Sequence, residues 1–386
     1  MKLANCCISI ADGDHQPPPK SETGIPFVTI ANIQNNQFDF TNSMFVPISY
    51  YEKLDEKRKA HKDDVLYSVV GSFGIPVLIK TELPFVFQRH IAILRPSKKI
   101  DSRFLYYTML SRDFYMKADA AAIGAAQRTI NLTALRNIEI NVPPIETQRR
   151  IADILSAYDD LIENNRKQIK LLEEAAQRLY KEWFVDLRFP GHEHTRIVDG
   201  VPEGWEKEPL SAIADVTMGQ SPKSEFYNHI GEGLPFHQGV GTYGTRFVKN
   251  ETYSTSYTRV AEAGSILFSV RAPVGRLNLT ENRIAIGRGI AALNHKSGFQ
   301  SFLFYMLKER FFKDNLVGNG SIFASISKDE LLKQQFMIPL KDIMEQYDEA
   351  ARNIDDKISG ASKQIELLIY ARDCLLPKLM SGEVEA

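Results

Sequence analysis

The stretch Pro144–Trp183, PIETQRRIADILSAYDDLIENNRKQIKLLEEAAQRLYKEW, contains no glycine and no proline after its first residue. Within it, Ile151, Leu155, Tyr158, Ile162, Asn165, Ile169, Leu172, Ala176, Leu179 and Trp183 recur in alternating steps of four and three. Such a pattern is a heptad seam, apolar except at Asn165, with charged residues on the other faces. At about 1.5 Å per residue the helix is expected to be roughly 60 Å long. A stripe this narrow predicts a helical partner, because a helix on a single globular core shows a wider apolar face.

The partner is in the same chain. Residues 345–380 read EQYDEAARNIDDKISGASKQIELLIYARDCLLPKLM. Superposing Lys363-Gln364-Ile365 on Lys167-Gln168-Ile169, an offset of 196 positions, carries the seam onto Tyr347, Ala351, Ile354, Ile358, Ala361, Ile365, Leu368, Arg372, Leu375 and Leu379. Only Arg372 is neither apolar nor tyrosine. Asn165 aligns with Ala361. A lone seam asparagine either fixes register and partner orientation at a cost in stability, or sits half-exposed where the seam frays, and both readings stay open.

A chain of 386 residues suits two or three domains. Hydrophobic content of 44% and charged content of 25% are those of an ordinary globular protein. No apolar run reaches the roughly 18 residues of a membrane span, and the N-terminal apolar stretch is too short for a signal peptide. Three cysteines, Cys6, Cys7 and Cys374, with no zinc-type spacing, predict buried thiols in a reducing, cytoplasmic setting. The net charge is −1, but it is unevenly spread: +3 over residues 1–144, −2 over 145–199, +2 over 200–340 and −4 over 341–386. Base lies on the segments between the helices, so a polyanion is expected to touch those segments.

Those segments repeat one another. Ile10-Ala11-Asp12 echoes Ile213-Ala214-Asp215, Ile25-Pro26-Phe27 echoes Leu234-Pro235-Phe236, and Arg89-His90-Ile91-Ala92 echoes Arg288-Gly289-Ile290-Ala291. Phe104-Leu105-Tyr106-Tyr107 echoes Phe302-Leu303-Phe304-Tyr305. Strands are predicted over 65–70 and 266–270, each running into a glycine-bearing loop, and again over 85–94 and 283–293. Aromatic-rich helices are predicted over 103–116 and 299–312. Ser327 to Glu330 has the form of a capping box, and short strands over 138–142 and 335–338 end at proline before each long helix.

The expected fold is mixed α/β. Two globular α/β domains, residues 1–144 and 187–340 (the second including its linker), alternate with long helices at 145–186 and 341–386. The helices pair as an antiparallel coiled coil, which relates the halves by a pseudo-twofold axis. Parallel pairing would need the second domain to span the helix and return.

Catalytic signatures are missing from the sequence. There is no GxxxxGK[ST], GxGxxG, HExxH or G-x-S-x-G pattern. Asn141-Val142-Pro143-Pro144 differs from an amino-methyltransferase motif by its valine and reads as a strand-to-helix break. Asp63-Asp64, Asp159-Asp160 and Asp355-Asp356 read as turns and solvated helix faces. His192 and His194 lie in a polar linker and make no metal site.

The run from Pro143 through Glu193, then DGVPEGWEKEPLSAIADVTMGQSP (199–222), and the C-terminal SKQIELLIYARDCLLPKLMSGEVEA (362–386), resemble the DNA specificity subunit of type I restriction–modification systems. The resemblance spans the chain in the usual order of recognition domain, conserved helix, recognition domain, conserved helix. One departure concerns the start. The second domain opens on Pro202-Glu203-Gly204-Trp205, whereas the first begins at Met1-Lys2-Leu3-Ala4 without a tryptophan lead-in, as expected of a shortened domain or an upstream start.

The resemblance implies that each domain reads one half of a split double-stranded DNA site. The paired helices then fix the gap and dock two modification methyltransferase subunits, with restriction subunits further out. S-adenosylmethionine, ATP and magnesium would sit on those partners, so no cofactor and no catalytic residue are expected on this chain. A stand-alone DNA-modifying enzyme and a coiled-coil scaffold without DNA contact are the competing classes. The first lacks a catalytic motif, and a gel shift with the methyltransferase partner separates the second.

Candidate DNA contacts are loop residues repeated in position and varied in identity. In the second domain these are Lys223, Tyr243, Arg271, Arg276, Arg283, Arg288 and Ser321, with only Glu281 opposing the arginine run. In the first they are Lys20, Ser72, Lys80, Gln88, Arg89, His90, Gln127 and Arg128. Arginine serves both phosphate and guanine. Surface solubility accounts for such residues equally well one at a time.

Overall fold

The computed structural model describes residues 1–124, 127–311 and 325–386. The chain forms two compact units, Met1–Asn165 with Lys363–Ala386, and Arg166–Ser362. Each unit holds one globular domain and a portion of both long helices, so compactness cuts across the domain-and-helix order of the sequence.

In the first unit β1 (Cys7–Asp12), β2 (Val65–Ser68), β3 (Pro76–Leu78) and β4 (Ile91–Pro96) form an antiparallel sheet in the order β1-β4-β2-β3. Its central strands are buried on both faces, and their alternate side chains enter different cores. Val65, Tyr67, Ala92 and Leu94 pack with α1 (Ser102–Leu110). Leu66, Ile91 and Ile93 pack on the other face with Val28, Phe85 and Phe87.

The second unit repeats this plan. There β5 (Ala214–Met218), β6 (Ile266–Ser269), β7 (Leu277–Leu279) and β8 (Ile290–His295) take the order β5-β8-β6-β7. Ile266, Phe268, Ala291 and Leu293 face the core that holds Phe302 and Tyr305, while Leu267, Ile290 and Ala292 face the other side. In both units a strand of the second sheet, three-stranded in the first unit and five-stranded in the second, runs parallel to its neighbour: Ile25–Val28 beside Val86–Phe87, and Leu234–His237 beside Ile284–Ile286.

The predicted strands 85–94 and 283–293 are each two strands in two sheets. A turn separates them, closed by Ile91 N–H to Gln88 O at 3.0 Å and by Ile290 N–H to Gly287 O at 3.0 Å. The predicted helix 103–116 breaks at Ser111, whose hydroxyl caps a second helix, Arg112–Ala120, by accepting from Phe114 N–H at 3.2 Å. No strand forms at 138–142, where Glu139 makes a single bridge to Lys2. Its repeat Gln335–Ile338 does pair, with Glu206–Pro209.

The start of the repeat is also re-registered. Asp12 pairs with Ala92 and Met218 with Ala291, so the counterpart of Asp12 is Met218 and not Asp215. Gly13 and Gly219 then coincide. A Cβ would lie 2.2 Å from Phe87 O at the one and 2.2 Å from Gly287 O at the other, a closeness only glycine accepts.

The long helices are α2 (Ile145–Phe184) and α4 (Lys341–Ser381), and α3 is Gln300–Phe311. None of the twenty predicted seam positions is exposed. Ile151, Leu155, Ile162, Asn165 and Ile169 are buried on α2, and Tyr347, Ala351, Ile358, Ala361 and Leu379 on α4. Within the first unit Asn165 donates to Gln364 Oε1 at 3.2 Å and Arg372 donates to Asp159 at 2.6 Å. One helix descends as the other rises, so the pairing is antiparallel. The stripe widens beside the globular cores, where Ala152, Tyr180 and Leu376 are also buried. The linker is less polar than expected: Phe189 and Trp205 are buried with ring centroids 5.0 Å apart, and Trp205 lies 5.9 Å from Phe184.

Candidate nucleic-acid interface

In the first unit four loops gather at one end of the sheet, where β1 and β2 finish and β3 and β4 start. The loop after β1 is tied to β4 by Gly13 N–H to Ile91 O at 3.1 Å, and Arg89 N–H reaches Asp14 O at 2.9 Å. The loop before β4 is tied to the one after β2 by Val69 N–H to His90 O at 2.9 Å. The loop before residue 130 joins them through Ile130 N–H to Val69 O at 3.0 Å and the bridge of Val70 with Thr129.

The second unit makes the corresponding bonds. Gly219 N–H donates to Ile290 O at 2.9 Å, Val270 N–H to Gly289 O at 2.9 Å, and Ile326 N–H to Val270 O at 2.9 Å. Arg271 bridges Ser325 as Val70 bridges Thr129. Buried strands thus hold the roots of the loops while their tips stay free to vary.

Ser72, Gln88, Arg89, His90 and Gln127 lie on this end of the first unit, and Lys223, Arg271, Arg276 and Arg288 on that of the second, while Lys20 lies further along the loop after β1, beside Ser21, whose N–H donates to Phe45 O at 2.9 Å. Lys20, Ser72, Arg89, Gln127, Lys223, Arg271 and Arg288 are exposed. Arg89 and Arg288 occupy the same place, just ahead of β4 and β8. Gln88 Nε2 lies 2.7 Å from His90 Nδ1, so these two side chains brace one another beside Arg89. Arg288 N–H donates to Ser221 Oγ at 3.2 Å, which fixes the backbone beneath its side chain. Arg128 joins the cluster with its guanidinium on Asp119, at 2.7 Å to the carboxylate and 2.6 Å to the carbonyl.

Three further candidates lie elsewhere. Tyr243 is corrected to a packing residue: its hydroxyl is buried and its ring sits against the core of Ala261, Leu267 and Ile286. Burial pushes that hydroxyl well above its ordinary pKa. Lys80 follows β3 at the opposite end of the sheet and bonds α2, at 3.0 Å to Glu163 and 3.4 Å to Asp160. Arg283 pairs with Glu262 at 3.1 Å. Ser321 lies outside the described residues.

Several residues carry more than their sequence context signalled. Arg246 is 3% exposed, stacks its guanidinium 3.8 Å from the Phe304 ring centroid, and bonds Asp355 on α4. Asp159 accepts from Tyr107 Oη at 2.7 Å, and Asp355 from Tyr305 Oη at 2.7 Å. These aspartates anchor each domain to a long helix, which corrects their reading as solvated. The aspartates could have been singled out by their shared offset of 196; nothing local marks Arg246. Among the described residues no group of three or more His, Cys, Asp or Glu could hold a metal ion, and no helix is long and apolar enough to cross a membrane.

The two units match one sequence family twice. The "Type I restriction modification DNA specificity domain" covers residues 14–174 and again 202–364. The chain belongs to this type I restriction–modification specificity family. A Methanocaldococcus jannaschii protein proposed as the type I restriction enzyme MjaX specificity subunit is 32% identical over 380 residues, spanning 95% of this chain and 88% of the relative. The HindI specificity subunit of Haemophilus influenzae is 22% identical, spanning 93% and 94%. Among solved structures the S subunit of a type I system from M. genitalium aligns with a TM-score of 0.58 over 98% of this chain and 95% of that one, at 18% identity, a likeness of fold. For a specificity protein, two copies of one loop-bearing sheet end are the feature to explain.

Proposed function

We propose that this specificity chain reads a bipartite double-stranded DNA site, one half with each loop-bearing sheet end. The observation that carries this is the equivalence of Arg89 and Arg288. Each is an exposed arginine on a loop whose backbone is pinned by its neighbours, and each stands at the same point of a duplicated sheet. An arginine so held reaches phosphate or makes the bidentate guanine contact that discriminates bases. Ser72, Gln127, Lys223 and Arg271 surround them as candidate phosphate or base contacts, with Lys20 further along the loop after β1.

The paired helices set the gap between half-sites and dock two methyltransferase subunits, with restriction subunits beyond. On this reading the chain is not itself an enzyme. S-adenosylmethionine, ATP and magnesium are held by the partners, and the assembly works in the cytoplasm. The test is to reconstitute the chain with its methyltransferase partner and sequence the methylated motif for Arg89→Ala and Arg288→Ala. Each substitution is expected to relax or lose bases in one half-site only, costing about 1–3 kcal/mol of discrimination there. Methyl transfer by the isolated chain would overturn the non-catalytic reading, and loss spread evenly over both halves would overturn the assignment of one domain to one half.

A further inference from the structure

In each unit a carboxylate of a long helix accepts from a tyrosine of the globular domain, and the two arrangements differ in a way the repeat does not predict. In the first unit Tyr107 of α1 donates to Asp159 Oδ2 at 2.7 Å, and Arg372 donates to Asp159 Oδ1 at 2.6 Å. In the second Tyr305 of α3 donates to Asp355 Oδ1 at 2.7 Å, Ser301 donates to Oδ2 at 2.6 Å, and Arg246 completes the set. Asp355 lies 196 positions after Asp159, the offset that superposes the helices, and the tyrosines are the last residues of the repeated Phe-Leu-aromatic-Tyr. Tyrosine and aspartate are therefore one device used twice.

The arginine is not repeated. Arg372 belongs to α4, and the position aligned with it on α2 is Ala176. Arg246 belongs to the second domain, in the loop ahead of Tyr253–Ser254. Its side chain is 2% exposed, and that of Asp355 18%. Glu173 on α2 lies 3.9 Å from the same guanidinium, so this one cation faces carboxylates from both long helices. A carboxylate this enclosed is stable as an anion only beside a cation or several donors. In the first unit the helix pair supplies that cation; in the second the domain must bring it.

We infer that Arg246 is a positioning residue that keys the second recognition domain to the helix pair through Asp355, whereas the seat of the first domain is completed by Arg372 of the helices themselves. An incoming first domain finds its counter-charge in place, and an incoming second domain has to carry one. This rests on the reading that each domain addresses one half-site.

The test is a double-mutant cycle on the full chain in complex with its methyltransferase partner. Arg246→Met is expected to weaken discrimination at the second half-site by at least about tenfold, the scale of a 1.4 kcal/mol coupling, and to leave the first half-site intact. Arg246→Met with Asp355→Asn restores most of that discrimination, because asparagine still accepts from Tyr305 and carries no charge for Arg246 to balance, leaving only Glu173, which is 20% exposed. Arg372→Met is expected to act on the first half-site instead, with Asp159→Asn as its rescue. Thermal unfolding of the same four single and two double variants, without DNA, reads the coupling separately. Non-additive midpoints for the Arg246–Asp355 pair support the key even if no bipartite motif is found. Additive midpoints, full second-half discrimination in Arg246→Met, or a further loss on adding Asp355→Asn would each overturn it.

Discussion

Inserting whole heptads where the compact units divide the helices tests whether helix length sets the half-site gap. The cuts fall between Asn165 and Arg166 on α2 and between Ser362 and Lys363 on α4. Matched insertions at both cuts leave the contacts inside each unit intact, including the Asn165 to Gln364 bond. Seven residues in each helix, repeating the seam spacing, keep the heptads in phase and lengthen the pair by about 10.5 Å. That is about three base pairs at 3.4 Å per pair. Three base pairs rotate the DNA by roughly 100°, with about 10 to 10.5 pairs per turn, while a heptad turns a straight helix by only about 20°. One heptad therefore presents the second domain to the wrong side of the duplex.

Three heptads add about 31.5 Å, close to one DNA turn of 34–36 Å, and bring the grooves back into phase. The expected outcome is loss of tight binding with seven residues. With 21, binding returns to a motif whose halves are unchanged and whose gap is longer by about nine or ten base pairs. The assay is sequencing of methylated motifs, with circular dichroism to confirm that the longer helices form. A seven-residue insertion that methylates the original motif at full rate would refute the ruler. A rewritten half-site would show that the helices read bases.

Two further outcomes follow from buried groups. Burial holds the imidazoles of His237 and His295 below the ordinary 6.5. The unfolded chain then protonates first as pH falls, and stability is full above 6.5 and lost as pH drops through the folded-state values. The melting temperature is expected to fall from pH about 7.5 to about 5.5, more steeply than in the double variant His237→Gln, His295→Gln; equal slopes would refute this. Asn165→Ile replaces a seam residue that is 8% exposed and whose partner Gln364 is open to water. It is expected to stabilise the chain by about 1–2 kcal/mol in denaturant unfolding and to loosen the register of the helix pair, and a fall in stability would show that Asn165 is held by more than one hydrogen bond.

Much of the frame was legible in the sequence because a coiled coil is specified by period alone. A narrow stripe spaced by four and three needs no knowledge of the partner, and the partner's stripe then appeared at a fixed offset. The sheets were legible as strands but not as sheets. Residues 85–94 have one hydrophobic pattern, yet they serve two sheets on either side of a turn, and the turn at Gln88-Arg89-His90 contains no glycine or proline to mark it. Asp159 and Asp355 were misjudged because an acidic pair on a charged helix looks solvated until the tyrosine opposite is seen. Tyr243 was misjudged for the converse reason: a tyrosine among glycines and threonines looks exposed, and the loop folds it inward.

The candidate readout was legible only in part, and the reason lies in where charge is satisfied. Cations that complete the frame have partners inside their own unit: Lys80 on Glu163, Arg128 on Asp119, Arg246 on Asp355, Arg372 on Asp159. Sequence composition counts these together with Arg89 and Arg288, since all are basic residues near repeated motifs. Geometry separates them, because a guanidinium already bonded to a carboxylate must give up that bond before it can neutralise a phosphate. Arg89 and Arg288 sit on pinned backbone with exposed side chains, and on the proposed reading would reach DNA without breaking an ion pair shown in the fold. Frame and readout are thereby distinct sets of residues. Arg246, like Lys80 in the first unit, joins them: it belongs to a variable domain by chain position and to the frame by contact. Exchange of the second domain consequently changes the frame as well as the bases read, unless the incoming loop restores that cation.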